Sequence, residues 1–367
     1  LGLFVLRGTN AIDKLIDDDT AHLIDTIKLG SEDMVMVMGL DLYELSTLLP
    51  ATAFTDLDKL HQQIVERSID SKFLDHWDNF LSRFGNRGPL EMDLSRPKYS
   101  DDPMLVLKQI AGIVKGNQSF DPRIRHKKSQ QNRPKAYEKL MGQLPARKKK
   151  KLAKAYKSLC DFEHSREIPK DQLVAIQKRI REYLLQLAQT WVEEKRLDRV
   201  EQIFELKVEE VLLAQQQPQF DLKQVLANRE DYIASAKRVR HFPHAIDSRG
   251  RILHPVVEQV PGQLVGTPVS SGVVTGPVKV MHDPFEKEIE QGDILVAHTT
   301  DPGWTPLFIN AAAILLEVGG ELQHGALVAR EYGKPCVAGI VNLTRELEDG
   351  QLVEVDGNSG RVRILDA

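Results

Sequence analysis

The sequence predicts an α + α/β protein, a mainly helical N-terminal region followed by a smaller α/β module, and three observations carry that expectation. Up to about residue 240 the apolar residues recur at helical spacing through long windows. From Gly266 onward they gather into short β-rich runs punctuated by glycine and proline. The length of 367 residues leaves room for two or three domains. The boundaries that follow are 1–240 for the helical region, 241–265 for a turn-rich linker and 266–367 for the α/β module.

Taken in order, the chain opens on an apolar segment, Leu1 to Leu6, without an initiating Met, which reads as a piece of something longer. A broken apolar stripe through Ile12, Leu15, Ile16, Leu23, Ile24 and Ile27 predicts a helix from Asn10 or Asp13 to Lys28. The continuous run Met34 to Met38 fits either a strand or a buried helix. Its methionines suit irregular packing in a core, with a hydrophobic ligand pocket as the other use. Thr55 to Phe84 reads as one long helix with Leu60, Ile64, Phe73, Trp77 and Leu81 inward. Asp171 to Glu194 and Asp221 to Arg240 are further helices. In the last third, Val273–Val280, Ile294–Ala297, Ala313–Leu316, Cys336–Ala338, Leu352–Val355 and Val362–Ile364 are strand candidates.

Composition narrows the classes. A charged fraction of 28% beside 41% hydrophobic residues is that of an ordinary globular chain, and a net charge of -4 argues against a generic polyanion binder. The basic block Arg147-Lys-Lys-Lys-Lys151 has little aromatic interleaving, so a solvated helix face is expected and nucleic-acid binding is not. The two cysteines, Cys160 and Cys336, have no metal-like spacing and point to a reducing compartment. No apolar run approaches the ~20 residues that span a bilayer, and no signal-like core is present, so no membrane role is expected and a cytoplasmic location is. His241, His244 and His254 lack the carboxylate or cysteine that would complete a ligand set, and no metal site is expected among them.

The chemistry concentrates in Glu317-Val-Gly-Gly-Glu-Leu-Gln-His-Gly-Ala-Leu-Val-Ala-Arg-Glu-Tyr-Gly-Lys-Pro-Cys336. It follows a buried-looking strand. Gly319 and Gly320 suit a turn that a Cβ would resist. The pattern Ala326, Leu327, Ala329, Tyr332 then predicts a short helix ending at Gly333, with Pro335 just beyond. His324 falls at the start of that helix, where unsatisfied N–H groups and the positive dipole end receive an anion and favour a neutral imidazole. Such a histidine can accept a phosphoryl group, or it can simply cap the helix.

Gly319-Gly320-x-x-x-His324-Gly-Ala-x-Val-Ala-Arg330-Glu-Tyr-Gly-x-Pro335 is preceded by Gly292-Asp-Ile-Leu-Val-Ala297 and Thr300-Asp-Pro-Gly-Trp-Thr-Pro-Leu-Phe308. Asp349-Gly-Gln-x-Val-x-Val-Asp-Gly357-x-x-Gly360 follows it. Together these motifs resemble the mobile phosphohistidine domain of the phosphoenolpyruvate-utilising enzymes, over about Gly266 to Leu365. The resemblance implies a swivelling β/β/α phosphohistidine domain in which His324 takes a phosphoryl group at one site and delivers it at another. Gln323 and the Gly319-Gly320 turn would support the phosphate or the helix start. Arg330 would balance the phosphate or brace the helix, and Thr300 sits on a loop that could face the histidine. Where many members carry Ser, Thr or Cys next to the histidine, this chain has Leu322 and Gln323, so regulation through a neighbouring threonine has no acceptor here.

Gly85-Asn-Arg-Gly-Pro-Leu-Glu-Met-Asp-Leu-Ser-Arg-Pro97 resembles a segment of the same family's helical region, with Asn86 in place of a histidine. Arg87 offers a planar fork for phosphate or carboxylate, and Glu91 with Asp93 offers a cation seat or a proton acceptor. The alternative is an internal ion network that pins a loop. No nucleotide-binding glycine loop is found. By resemblance, ATP and Mg2+ bind an ATP-grasp domain of the same polypeptide outside this chain, and the order of parts matches rifampicin phosphotransferase-like enzymes. That layout implies dikinase-type transfer, ATP to AMP and phosphate, onto an unknown small-molecule acceptor held by the helical region. Part of a pyruvate, water dikinase-like enzyme and a non-catalytic binding module are the alternatives.

Overall fold

A computed structural model of the chain describes residues 8, 11–12, 20–116, 120–165, 167–239, 245–253, 263–320 and 323–365. The helices are α1 (Ala21–Ile27), α2 (Met34–Thr47), α3 (Leu57–Val65), α4 (Ser71–Phe84), α5 (Met104–Lys115), α6 (Pro122–Gln143), α7 (Ala146–Phe162), α8 (Ile168–Glu193), α9 (Val208–Gln216), α10 (Leu222–Ala227) and α11 (Glu230–Arg238). Strands β1 (Ala245–Ile246) and β2 (Ile252–Leu253) pair as a small antiparallel hairpin. Then come β3 (Gln263–Val265), β4 (Thr267–Ser270), β5 (Val273–Met281), β6 (Ile294–Ala297), α12 (Thr305–Asn310), β7 (Ala313–Leu316), α13 (His324–Tyr332), β8 (Cys336–Ala338), α14 (Leu343–Glu346), β9 (Leu352–Asp356) and β10 (Arg361–Ile364). Helices followed by a mixed sheet are the architecture that the sequence predicts.

Several element boundaries need correction. The methionine-rich run is helical: Asp33 caps α2 by accepting the Val35 and Met36 N–H groups at 3.0 and 2.9 Å. Met36 and Met38 are buried in the core, which is the packing use of that run. Thr55 to Phe84 is two helices rather than one. Arg67 takes a left-handed φ of 56°, which ends α3, and Asp70 starts α4 by capping the Phe73 N–H. Asp221 to Arg240 is likewise divided, with α10 and α11 separated at Asn228 and Arg229. The three histidines His241, His244 and His254 lie outside the described residues.

The chain forms two compact units. The first comprises Leu1–Pro89, Lys98–Asp171 and Val257–Ala367, and the second comprises Leu90–Pro97 and Gln172–Val256. The second unit has its own small core, in which Trp191, Leu197, Ile203, Val211, Leu222 and Leu226 come together. Among the described residues, no helix is long and apolar enough to cross a membrane.

In the first unit the eight strands run in the order β3-β10-β9-β5-β6-β7-β8-β4. The four strands from β5 to β8 are parallel, and the pairs outside them are antiparallel. Strands β3 and β4 stand at opposite ends of that order yet are separated in the chain by Gly266 alone, so the sheet curls until its two edges meet there. A Cβ on Gly266 would lie 2.6 Å from the Ala338 carbonyl oxygen, so the close approach needs glycine.

The central strands are buried on both faces, as parallel strands generally are. Ile294, Val296, Ala313, Leu315 and Val337 point into the curled sheet with Val353, Val355 and Val362. Their neighbours Leu295, Ala297, Ile314, Leu316, Cys336 and Ala338 face outward and join a core shared with α12, α13 and helices α2 to α5. That period-two division is what pleated strands impose. Helices α12 and α13 are therefore held between the sheet and the helical bundle, with each large apolar side chain in this layer contributing about 1.5–3 kcal/mol.

Candidate functional site

Parallel strands β6 and β7 lie side by side, with Val296 opposite Leu315 and Ala297 opposite Leu316, so the loops after both leave the sheet at the same edge. In parallel sheets this carboxyl edge is where ligands bind. The loop after β6 carries His298 to Asp301, and Asp301 turns it into a short 3-10 segment by accepting the Gly303 N–H at 2.8 Å. Helix α12 follows with Thr305 as its first residue and Pro306 in its first turn. The loop after β7 begins at Glu317, and α13 begins at His324.

His324 is the first residue of α13 and is half-buried. Its Nε2 lies 3.3 Å from Thr305 Oγ1, and its ring stacks on Phe308 with centroids 6.4 Å apart and an interplanar angle of 27°. Gln323 occupies the N-cap position, and its side chain makes no capping hydrogen bond, while its carbonyl accepts the Leu327 N–H at 3.1 Å. The helix stops as its glycine and proline predict: Gly333 adopts the left-handed conformation at φ 62°, and its own N–H donates to the Ala329 and Arg330 carbonyls.

Gly325 and Thr300 form the tightest part of the site. A Cβ on Gly325 would stand 2.5 Å from Thr300 Oγ1 and 2.8 Å from Leu316 Cδ1. Among the described residues, the buried Thr300 hydroxyl has no hydrogen-bond partner. A buried polar group of this kind is costly unless something satisfies it, and here it stands against the residue next to His324.

The remaining predicted residues divide. Gly319 and Gly320 do not adopt left-handed backbone, so their conformational freedom is not what the turn uses. Gly319 is instead needed for packing, since a Cβ there would meet Ala338 Cβ at 2.9 Å, while a Cβ on Gly320 would meet nothing within 4 Å among the described residues. Arg330 sits nearly two turns beyond His324, a rise of about 9 Å, and its Nε donates to the Val269 carbonyl of β4 at 2.8 Å. Of its two expected uses, the geometry favours bracing the helix. Gln323 is exposed beside the site.

Arg87 is 1% exposed; it lies 3.4 Å from Asp171 Oδ1 and 3.7 Å from Met34 Sδ. It belongs to the first unit, whereas Glu91 and Asp93 belong to the second. Glu91 is buried. Asp93 is exposed and serves its own turn, accepting the Ser95 N–H at 2.8 Å and the Ser95 hydroxyl at 2.7 Å. Within the first unit the two motif loops do meet, because a Cβ on Gly303 would come within 3.1 Å of Pro89 Cα.

Sequence reasoning missed three participants. Thr305 and Phe308 were in plain view inside the Thr300 to Phe308 motif, but only the fold turns them toward the imidazole. Glu317 opens the motif in sequence, with no local signal of its role. Its carboxylate is buried at the base of the loop, accepts the Thr344 N–H at 3.0 Å and the Thr344 hydroxyl at 2.6 Å, and lies 3.3 Å from His298 Nδ1. Burial alone would raise its pKa, but the two Thr344 donors and His298 outweigh burial and hold it below the usual value.

Residues 289–360 match the family model described as PEP-utilising enzyme, mobile domain. The chain carries the mobile domain of the PEP-utilising enzymes. Residues 6–167 match the rifampicin phosphotransferase fourth domain, which contains α1 to α7 and Arg87. Rifampicin phosphotransferase of Bacillus subtilis is 33% identical over 319 residues, covering 84% of this chain and 36% of that protein. Rifampicin phosphotransferase of Streptomyces sviceus is 30% identical over 366 residues, covering 93% of this chain and 41% of that protein. The chain thus spans well under half the length of these relatives, and this mobile domain has a helical first-unit partner within the same chain.

Proposed function

We propose that this chain is the acceptor and carrier part of a phosphotransferase in which His324 holds a phosphoryl group covalently between two transfers. The single observation that carries this reading is an imidazole at the start of a helix, on the carboxyl edge of a parallel sheet, with Thr305 on its Nε2. In the first step a ring-nitrogen lone pair attacks phosphorus, an N–P bond forms and the P–O bond to the donor breaks. In the second, an acceptor hydroxyl attacks, loses its proton to solvent or a base, and the N–P bond breaks. The charge of the carried group rests against the helix start, and neither step needs redox chemistry.

By the family resemblance the donor is ATP bound with Mg2+ at an ATP-grasp domain of the same polypeptide: the imidazole attacks the β-phosphorus as AMP leaves, water then cleaves the β–γ bond to release phosphate, and His324 keeps a single phosphoryl group. The match over residues 6–167 supports an acceptor station in the helical region over a pyruvate, water dikinase-like layout. A hydroxyl-bearing small molecule is the acceptor class, and rifampicin is the first compound to test because relatives carry that name. A protein comprising this chain and its ATP-binding region, given ATP and rifampicin, should form AMP and a singly phosphorylated acceptor visible by mass spectrometry. Formation of ADP, with the phosphoryl group going straight to acceptor, would rule the reading out.

A further inference from the structure

At the end of α13 opposite His324, Glu331 is 6% exposed, and its partners come from far away in sequence. The Gly30 N–H donates to both of its carboxylate oxygens, at 3.0 and 3.1 Å, and the Ser31 N–H donates to Oε1 at 3.3 Å. Two successive backbone N–H groups converging on one carboxylate make a small anion-binding concavity. Gly30 is at φ +81°, and a Cβ there would meet the Gln130 backbone nitrogen at 2.9 Å, so this turn is available to glycine alone without strain.

Other contacts ring the same spot. Arg125 Nε donates to the Glu331 carbonyl at 2.8 Å, placing a cation at the negative end of α13. Its guanidinium lies where a side chain on Gly333 would be, 1.9 Å from the ideal Cβ position, so the glycine that ends the helix also admits the arginine. His126 Nδ1 is 3.8 Å from Glu331 Oε2. Lys334 reaches the Ile309 carbonyl at 3.0 Å and lies 4.5 Å from the centroid of the Phe120 ring. The charges facing Glu331 are thus supplied mostly by α6, and its hydrogen bonds by the turn between α1 and α2.

We infer that Glu331 is a positioning residue, which seats the His324 helix on the helical bundle by placing its carboxylate in the Gly30–Ser31 amide pair. This rests on the carrier reading above, because a latch of this kind matters only if the domain bearing His324 has another station to visit. On departure, Glu331 and both N–H groups return to water, so the contact is specific to the seated position. The sheet does not use these bonds, and its own hydrogen bonding lies elsewhere.

Amide hydrogen exchange on this chain tests the inference, with Glu331→Gln as the conservative variant and Glu331→Ala as the second. Both should speed exchange at Gly30 and Ser31, and across α12 and α13, by about tenfold or more, while β5 to β9 exchange as before. Unchanged exchange at Gly30 and Ser31 would overturn the latch. Equal acceleration through β5 to β9 would overturn it too, showing Glu331 to be a fold residue. In the protein that includes the ATP-binding region, Glu331→Gln should leave charging of His324 within about twofold and slow delivery to acceptor about tenfold, an effect of about 1.4 kcal/mol. Absence of charging in the unaltered protein would instead refute the carrier reading and leave the exchange result standing.

Discussion

Thr305 Oγ1 stands 3.3 Å from Nε2 of His324, although the two side chains begin helices that follow different parallel strands. The hydroxyl can donate to a lone pair on that nitrogen or accept its N–H, depending on the tautomer. Thr305 is fully buried, so the near-isosteric Thr305→Val preserves packing and removes only the polar contact. Phosphoryl uptake by His324 should slow about tenfold, with thermal stability changed by no more than about 1.5 kcal/mol. Rapid-quench measurement of the phosphoenzyme against thermal unfolding separates the two effects.

Gly325→Ala tests the crowding beside the histidine. Its Cβ would fall 2.5 Å from Thr300 Oγ1 and 2.8 Å from Leu316 Cδ1, and both neighbours are anchored on the sheet edge. Overpacking of this kind costs about 1–3 kcal/mol. Calorimetry should show that loss, and Thr300→Ala in the same background should restore part of it by vacating the space.

Glu317 predicts a pH dependence with a definite sign. Its pKa is lower in the folded protein than its ordinary value of 4.5, so the unfolded chain binds the proton more readily. The stabilisation is complete above the unfolded value and is lost as pH falls through the folded one. Glu317→Gln should therefore be less stable than the parent at pH 7, and denaturant midpoints of the two should converge as the solution is acidified below 4.5. A constant gap down to pH 3 would contradict the assignment.

Burial pushes the Cys336 thiol up to about 12, with Arg330 only partly opposing it. The reactive thiolate is then scarce near neutral pH. Cys336 should resist a thiol reagent in the folded chain and react at once in denaturant, as read by peptide mapping.

Much of the site was legible because local signals agreed with the fold. Gly333 and Pro335 ended α13 where they were expected to, and the apolar run before Glu317 is β7. Legibility failed where a local break interrupts a continuous stripe. The pattern from Leu57 to Leu81 is unbroken in its apolar positions, and only Arg67 at positive φ and the capping Asp70 divide it. Strands β3 and β4 are three and four residues long and contain polar residues and a proline, so periodicity had nothing to report. Their place at the two edges of the sheet is a tertiary fact, imposed by closure at Gly266. The same holds for Thr305 and Glu331: each lies within a motif, but its partner is chosen by the packing of α12 and α13 against other elements.

The central claim is that the His324 imidazole carries the phosphoryl group. The most direct measurement is covalent label on a protein containing this chain and its ATP-binding region, given ATP labelled at the β-phosphate. About one phosphate per chain should be found, stable in alkali, released by acid and absent from His324→Asn. Label that survives in His324→Asn, or an unaltered protein that takes up none, would contradict it.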